Sequence, residues 1–145
     1  MLYLAREMSR EIVIFLTGTI QPENVPNLKR TDPSEREQDY YVSLNKWMQL
    51  NYPVIFVESS NFDSTLIESL FSSRPDCEYI KFQGTQGRLG KSHGEAEIIK
   101  YAFEFSAILK SSAVVIKASG RQYISKSISI LNYFMRKKPY IIAWL

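Results

Sequence analysis

Three short, uninterrupted apolar runs rich in β-branched residues limit what this chain can become. They are Ile12-Val13-Ile14-Phe15-Leu16, Pro53-Val54-Ile55-Phe56-Val57 and Ala113-Val114-Val115-Ile116. A strand that is apolar on both sides must be covered on both sides, which is the condition of a strand inside a parallel sheet. Segments with helix-start chemistry stand between these runs. Asp32-Pro33-Ser34-Glu35 reads as an N-cap, a proline at the first helical position and a capping-box acid three residues on. The helix it opens is expected to run to about residue 50, with Tyr40, Leu44, Trp47 and Met48 toward the core. A short helix over 63–71 and a weaker strand over 78–82 follow. A second capping box, Ser92-His93-Gly94-Glu95, opens a helix to about residue 109. A helix over 123–135 and a fifth strand over 140–143 complete the series. Alternating strands and helices imply βαβ units. The expected fold is therefore α/β, three-layer and Rossmann-like, with a mostly parallel sheet and helices on both faces.

The chain of 145 residues fits a single domain. A net charge of +3 is too mild to argue for nucleic acid. Cys77 is the only cysteine, which excludes an intramolecular disulfide and fits a reducing cytoplasm. No apolar run approaches the ~20 residues of a membrane span. The aspartates, Asp32, Asp39, Asp63 and Asp76, stand isolated, so no D-x-D pair exists to hold a metal ion. The residues predict no metal site.

Function is expected where strands end. In an open α/β sheet, ligands bind beyond the carboxyl ends of the strands. Four polar loops fall there: Thr17-Gly18-Thr19, Glu58-Ser59-Ser60-Asn61, the glycine-rich stretch 84–94 with Gly90-Lys91-Ser92, and Lys117-Ala118-Ser119-Gly120-Arg121. Glycines let a ligand approach the backbone, and Lys91, Lys117 and Arg121 neutralise negative charge. Arg121 can grip a phosphate in bidentate fashion and turn toward the loop at Gly90 and Ser92. Ser92, as a cap, would present free N–H groups to an anion. Thr17, Thr19, Glu58 and Ser59 offer groups for a base or ribose. The ligand class read from these residues is a phosphorylated molecule, a nucleotide in particular. Glu58 and Glu95 are the acids placed to serve as a general base. His93, the only histidine, reads as a surface residue.

The arrangement of LTGTI at 16–20, KRTDPSEREQDYYVSLNKW at 29–47, VIFVESSN at 54–61, GKSHGEAEIIKYAF at 90–103 and VVIKASGRQYI at 114–124 resembles the donor-binding half of GT-A-type glycosyltransferases. The likeness is to enzymes of bacterial capsule and lipopolysaccharide synthesis. It implies a nucleotide-diphosphate sugar as donor and a surface glycan as acceptor. It implies a donor site at Thr17, Gly18, Thr19, Glu58, Ser59, Gly90, Lys91, Ser92, Lys117, Ser119, Gly120 and Arg121. Two features depart from that family. The fourth strand ends in Lys117-Ala118-Ser119 instead of D-x-D, so Lys91, Lys117 and Arg121 would have to offset the diphosphate charge. The acceptor-binding half is missing, so the chain reads as one domain over 1–145 or as the front part of a longer enzyme.

Two other readings stay open on the residues alone. One is a nucleotide- or phosphate-binding module without catalysis. The other is a P-loop NTPase, which needs G-x-x-x-x-G-K-[ST]; the first glycine would have to be at position 85, where Thr85 stands.

Overall fold

All residues of the first strand, β1 (Ile12–Gly18), are buried, as a central parallel strand requires. A computed structural model describes residues 12–137. After β1 come α1 (Pro33–Met48), β2 (Val54–Glu58), α2 (Thr65–Ser72) and β3 (Glu78–Lys81). A 3-10 turn (Gln86–Leu89), α3 (Lys91–Phe105), α4 (Ala107–Ser111), β4 (Val114–Ser119) and α5 (Ser127–Lys137) complete the described chain. The four strands form a parallel sheet in the order β3-β2-β1-β4. The chain thus lays β2 and β3 to one side of β1 and returns to place β4 on the other. This is the topological switch of a doubly wound sheet, and it falls between β1 and β4.

Strand periodicity assigns the two faces. Ile14 and Leu16 of β1 join Val54 and Phe56 of β2 under Tyr40, Leu44 and Trp47 of α1 and Ile67 of α2. Val13 and Phe15 join Ile55 and Val57 under Ile98 and Ala102 of α3. Helices on both faces make the fold three-layer and Rossmann-like, as the alternation of strands and helices requires.

The caps account for two helix starts. Asp32 accepts the N–H of Glu35 at 2.9 Å, with Pro33 in the first helical position. Ser64, not Asp63, caps α2 by accepting the N–H of Ile67 at 3.1 Å.

Several boundaries differ from expectation; the helix expected over 123–135 begins only at Ser127. Helix α3 begins two residues earlier, with Gly90 instead of Ser92 in the cap position, at φ 127° and with no side-chain cap. The Ser92 capping box does not form, because Glu95 is engaged across the sheet. The helix expected to reach 109 breaks at Ser106. That hydroxyl is buried, hydrogen-bonds the Glu78 carboxylate and caps α4 through the N–H of Leu109 at 3.0 Å. Strand β4 extends through Ser119, so Lys117 and Ala118 lie within it. Ala118 is buried while Lys117 and Ser119 are exposed, the alternation of a strand with one face in solvent. The fifth strand expected over 140–143 lies outside the described residues.

Candidate functional site

The strand ladder continues past the strands and ties their loops into one edge. Gly120 donates to the Thr17 carbonyl at 2.8 Å, Ser59 to Gly18 at 3.0 Å and Gly84 to Ser59 at 2.8 Å. Gly18 and Gly120 therefore share an edge, where the switch point is. Both press on one ring. A Cβ at Gly18 would lie 2.7 Å from Phe56 Cε2 and 2.7 Å from Tyr40 Cε1. A Cβ at Gly120 would lie 2.8 Å from Phe56 Cε2. Glycine at both positions is a packing requirement.

The peptide of Thr19 is clamped by α1. Tyr40 Oη accepts the Thr19 N–H at 3.0 Å. Arg36 donates to the Thr19 carbonyl from Nε at 2.9 Å and from a terminal nitrogen at 2.5 Å, and to the Arg30 carbonyl at 3.0 Å. Arg36 is 5% exposed. Burial lowers its pKa from the ordinary value; the Tyr40 phenol opposes this and the charge of Arg121 adds to it. Burial raises the Tyr40 pKa against the pull of the Arg36 charge. The charge of Arg121, which follows Gly120 on this edge, acts on both Arg36 and Tyr40. Among the described residues neither arginine has a carboxylate within ion-pair distance. Asp39, which acts weakly on Arg36, is held by Arg30 at 2.8 Å.

The acids offered as general bases are both engaged. Glu58 is fully buried. Its Oε1 accepts the N–H groups of Ile20 and Ser60, each at 2.9 Å, and the Ser60 hydroxyl. Its Oε2 accepts the Phe62 N–H at 3.0 Å. This carboxylate fastens two loops together and has no free lone pair facing solvent, so it does not reach a ribose or a base. Glu95 accepts the Thr17 hydroxyl at 2.8 Å and forms an ion pair with Lys117. Lys117 is thereby committed to Glu95 and is not a free phosphate ligand.

The remaining expected residues divide. Thr19 and Ser59 meet through their hydroxyls at 2.6 Å. Ser119 accepts the Arg121 N–H at 3.4 Å. Lys91, Ser92 and His93 are exposed, and among the described residues no side-chain hydrogen bond or ion pair ties Lys91 or Ser92 to this edge. Within 84–90 several N–H groups are already engaged. The N–H of Gly90 is spent on the Gly87 carbonyl at 3.0 Å, and those of Thr85 and Gln86 on the Glu97 carboxylate at 3.0 and 2.9 Å.

Beside the switch point opens a cleft of about 490 Å³ between Thr19, Ser59, Gln83 and Gly84 and the 3-10 turn before α3. Small-molecule sites occupy ~300–1,000 Å³. Glu97 forms part of its wall, and Gly84 is fixed there because a Cβ would lie 2.9 Å from Glu97 Oε2 and 3.1 Å from the Ser59 carbonyl.

Sequence reasoning missed Arg36, Glu97 and Gln83. A signal for Arg36 exists: it falls at i−4 from Tyr40 and i−8 from Leu44, a cation on the apolar stripe of its helix. Glu97 and Gln83 carry no such mark. No family model matches this chain, and no curated protein matches it significantly.

Proposed function

We propose that this chain binds a nucleotide-diphosphate sugar at the carboxyl edge of β1 and β4, as the donor-binding part of a cytoplasmic glycosyltransferase that extends a bacterial surface glycan such as capsule or lipopolysaccharide. One observation carries the reading. A buried guanidinium, Arg36, holds the Thr19 carbonyl at this edge and feels the charge of Arg121, and among the described residues neither arginine has a carboxylate partner. Neutral carbonyl and phenol oxygens meet its hydrogen bonds but leave its charge unpaired, and an anion arriving at Arg121 offsets that charge. Gly18 and Gly120 are buried against Phe56 at the same point and let the two strand ends close up there. The family resemblance supplies the sugar and the acceptor. No helix among the described residues is long and apolar enough to cross a membrane.

Charge neutralisation by arginine replaces the metal in this account. Arg121→Ala is expected to weaken nucleoside diphosphates by roughly tenfold to a hundredfold, the loss of one charge-assisted hydrogen bond. The parent nucleoside, which has no phosphate, is expected to bind unchanged. Calorimetry with UDP, GDP and their sugar conjugates in the presence of a chelator checks both points. Equal affinities of wild type and variant, or binding seen only with manganese, would refute the proposed site.

A second reading, binding without transfer, is favoured by the engagement of both Glu58 and Glu95. Release of free sugar from the donor by the wild-type chain, lost in Glu95→Gln, would decide for catalysis.

A further inference from the structure

The cleft beside the switch point differs in chemistry from the arginine edge. Its lining is made of neutral hydrogen-bonding side chains, Gln21, Asn24, Ser60, Gln83 and Thr85 among them, with Val25 as its only aliphatic side chain and no aromatic ring. The charged side chains on its wall are Glu23, Glu97 and Arg88, a surplus of negative charge. A diphosphate is repelled by that surplus. A nucleobase buries a flat apolar face and gains most from stacking on an aromatic or aliphatic platform, which this cleft does not provide. A ring bearing several hydroxyls needs the reverse: many donors and acceptors and little apolar area.

Two of the groups are free to serve it. Gln83 and Glu23 are exposed in the cleft; the Gln83 amide has only a long contact, 3.5 Å, to the Gly84 carbonyl, and among the described residues the Glu23 carboxylate has no hydrogen-bond or ion-pair partner. An amide offers a donor and an acceptor, and a carboxylate can accept from two adjacent hydroxyls at once. Glu97, by contrast, is saturated by the N–H groups of Thr85 and Gln86 and shapes the wall.

We infer that this cleft receives the hydroxyl-rich sugar ring of the donor and leaves the nucleoside outside it. The inference rests on the diphosphate reading above, which places the phosphates at Arg121; Gly120 pairs with the Thr17 carbonyl, two residues before Thr19 in the cleft wall.

Gln83→Leu and Glu23→Gln test it, since both side chains are exposed and neither is needed by the core. Calorimetry compares UDP with UDP-glucose and GDP with GDP-mannose. Wild type is expected to prefer at least one sugar conjugate over its diphosphate. Each variant is expected to lose about three- to tenfold in affinity for that conjugate, the worth of a lost hydrogen bond, with the diphosphate unchanged. Equal weakening of diphosphate and conjugate would overturn the inference by placing the nucleoside in the cleft. No change in either would also overturn it. If wild type binds no nucleotide at all, the diphosphate reading falls by itself. The cleft is then probed with glucose, galactose and mannose by saturation-transfer NMR. Transfer lost in Gln83→Leu would uphold a hydroxyl-rich ligand, and its absence from wild type would overturn one.

Discussion

Glu58→Ala is expected to destabilise the fold by about 4 kcal/mol, the largest effect of any single truncation at this edge. The residue is fully buried and accepts from three backbone N–H groups and a hydroxyl. Truncation leaves the N–H groups of Ile20, Ser60 and Phe62 without their partner. Each buried orphan costs about 1–3 kcal/mol, and partial relaxation or water entry recovers some of it. The Ser60 hydroxyl can rotate to solvent and counts for little. Glu58→Gln is expected to cost less, about 2 kcal/mol. It keeps one acceptor oxygen but turns an NH2 group toward N–H donors. Urea denaturation followed by circular dichroism measures both. A loss below about 1 kcal/mol for Glu58→Ala would mean that the loops do not depend on this carboxylate.

Gly18→Ala is expected to cost about 3 kcal/mol, or a fall in melting temperature of roughly 10 °C for a domain of this size. The added methyl would lie 2.7 Å from two ring carbons, one of Phe56 and one of Tyr40. Neither ring can retreat. Phe56 is fully buried, stacks on Tyr79 with centroids 5.5 Å apart, and meets Tyr40 at 5.4 Å. Tyr40 holds the Thr19 peptide, so its displacement also loosens the clamp made with Arg36. Combining Gly18→Ala with Phe56→Leu separates the contributions. If the clash with Phe56 dominates, the double variant is less destabilised than the sum of the singles by about 1 kcal/mol or more. Strict additivity in thermal melts would point to Tyr40 instead.

These two residues show what the sequence could and could not disclose. The continuous apolar runs announced β1 and β2 because a strand covered on both faces has no polar positions to hide it. The Asp32 neighbourhood announced a helix because capping is local chemistry. Strand β4 was read too short for the opposite reason: its last turn of pleat faces solvent, so Lys117 and Ser119 look like loop. Glu58 looked like a site residue because an acid after an apolar strand is usually exposed. Its burial depends on donors from Ile20 and Phe62, which come from two separate loops. Glu95 looked like half of a capping box, yet its partners, Thr17 and Lys117, lie on β1 and β4. Arg121 follows Gly120 on the edge, as expected, but Arg36, on which its charge acts, comes from a helix far earlier in the chain. Residue type marks an ionisable group; only the tertiary fold says which group is already spent.

Ligand binding at the β1–β4 switch point is the central expectation for this protein. A titration of the isotopically labelled chain with UDP-glucose or GDP-mannose in chelator, followed by amide chemical shifts, tests it most directly. The expected perturbations fall at Gly18, Thr19, Gly120 and Arg121, extend to Gln83 and Gly84 with the sugar conjugate, and are absent from the amino ends of the strands near Ile12 and Val54. Shifts centred on the opposite edge, or no shifts at millimolar ligand, would contradict it.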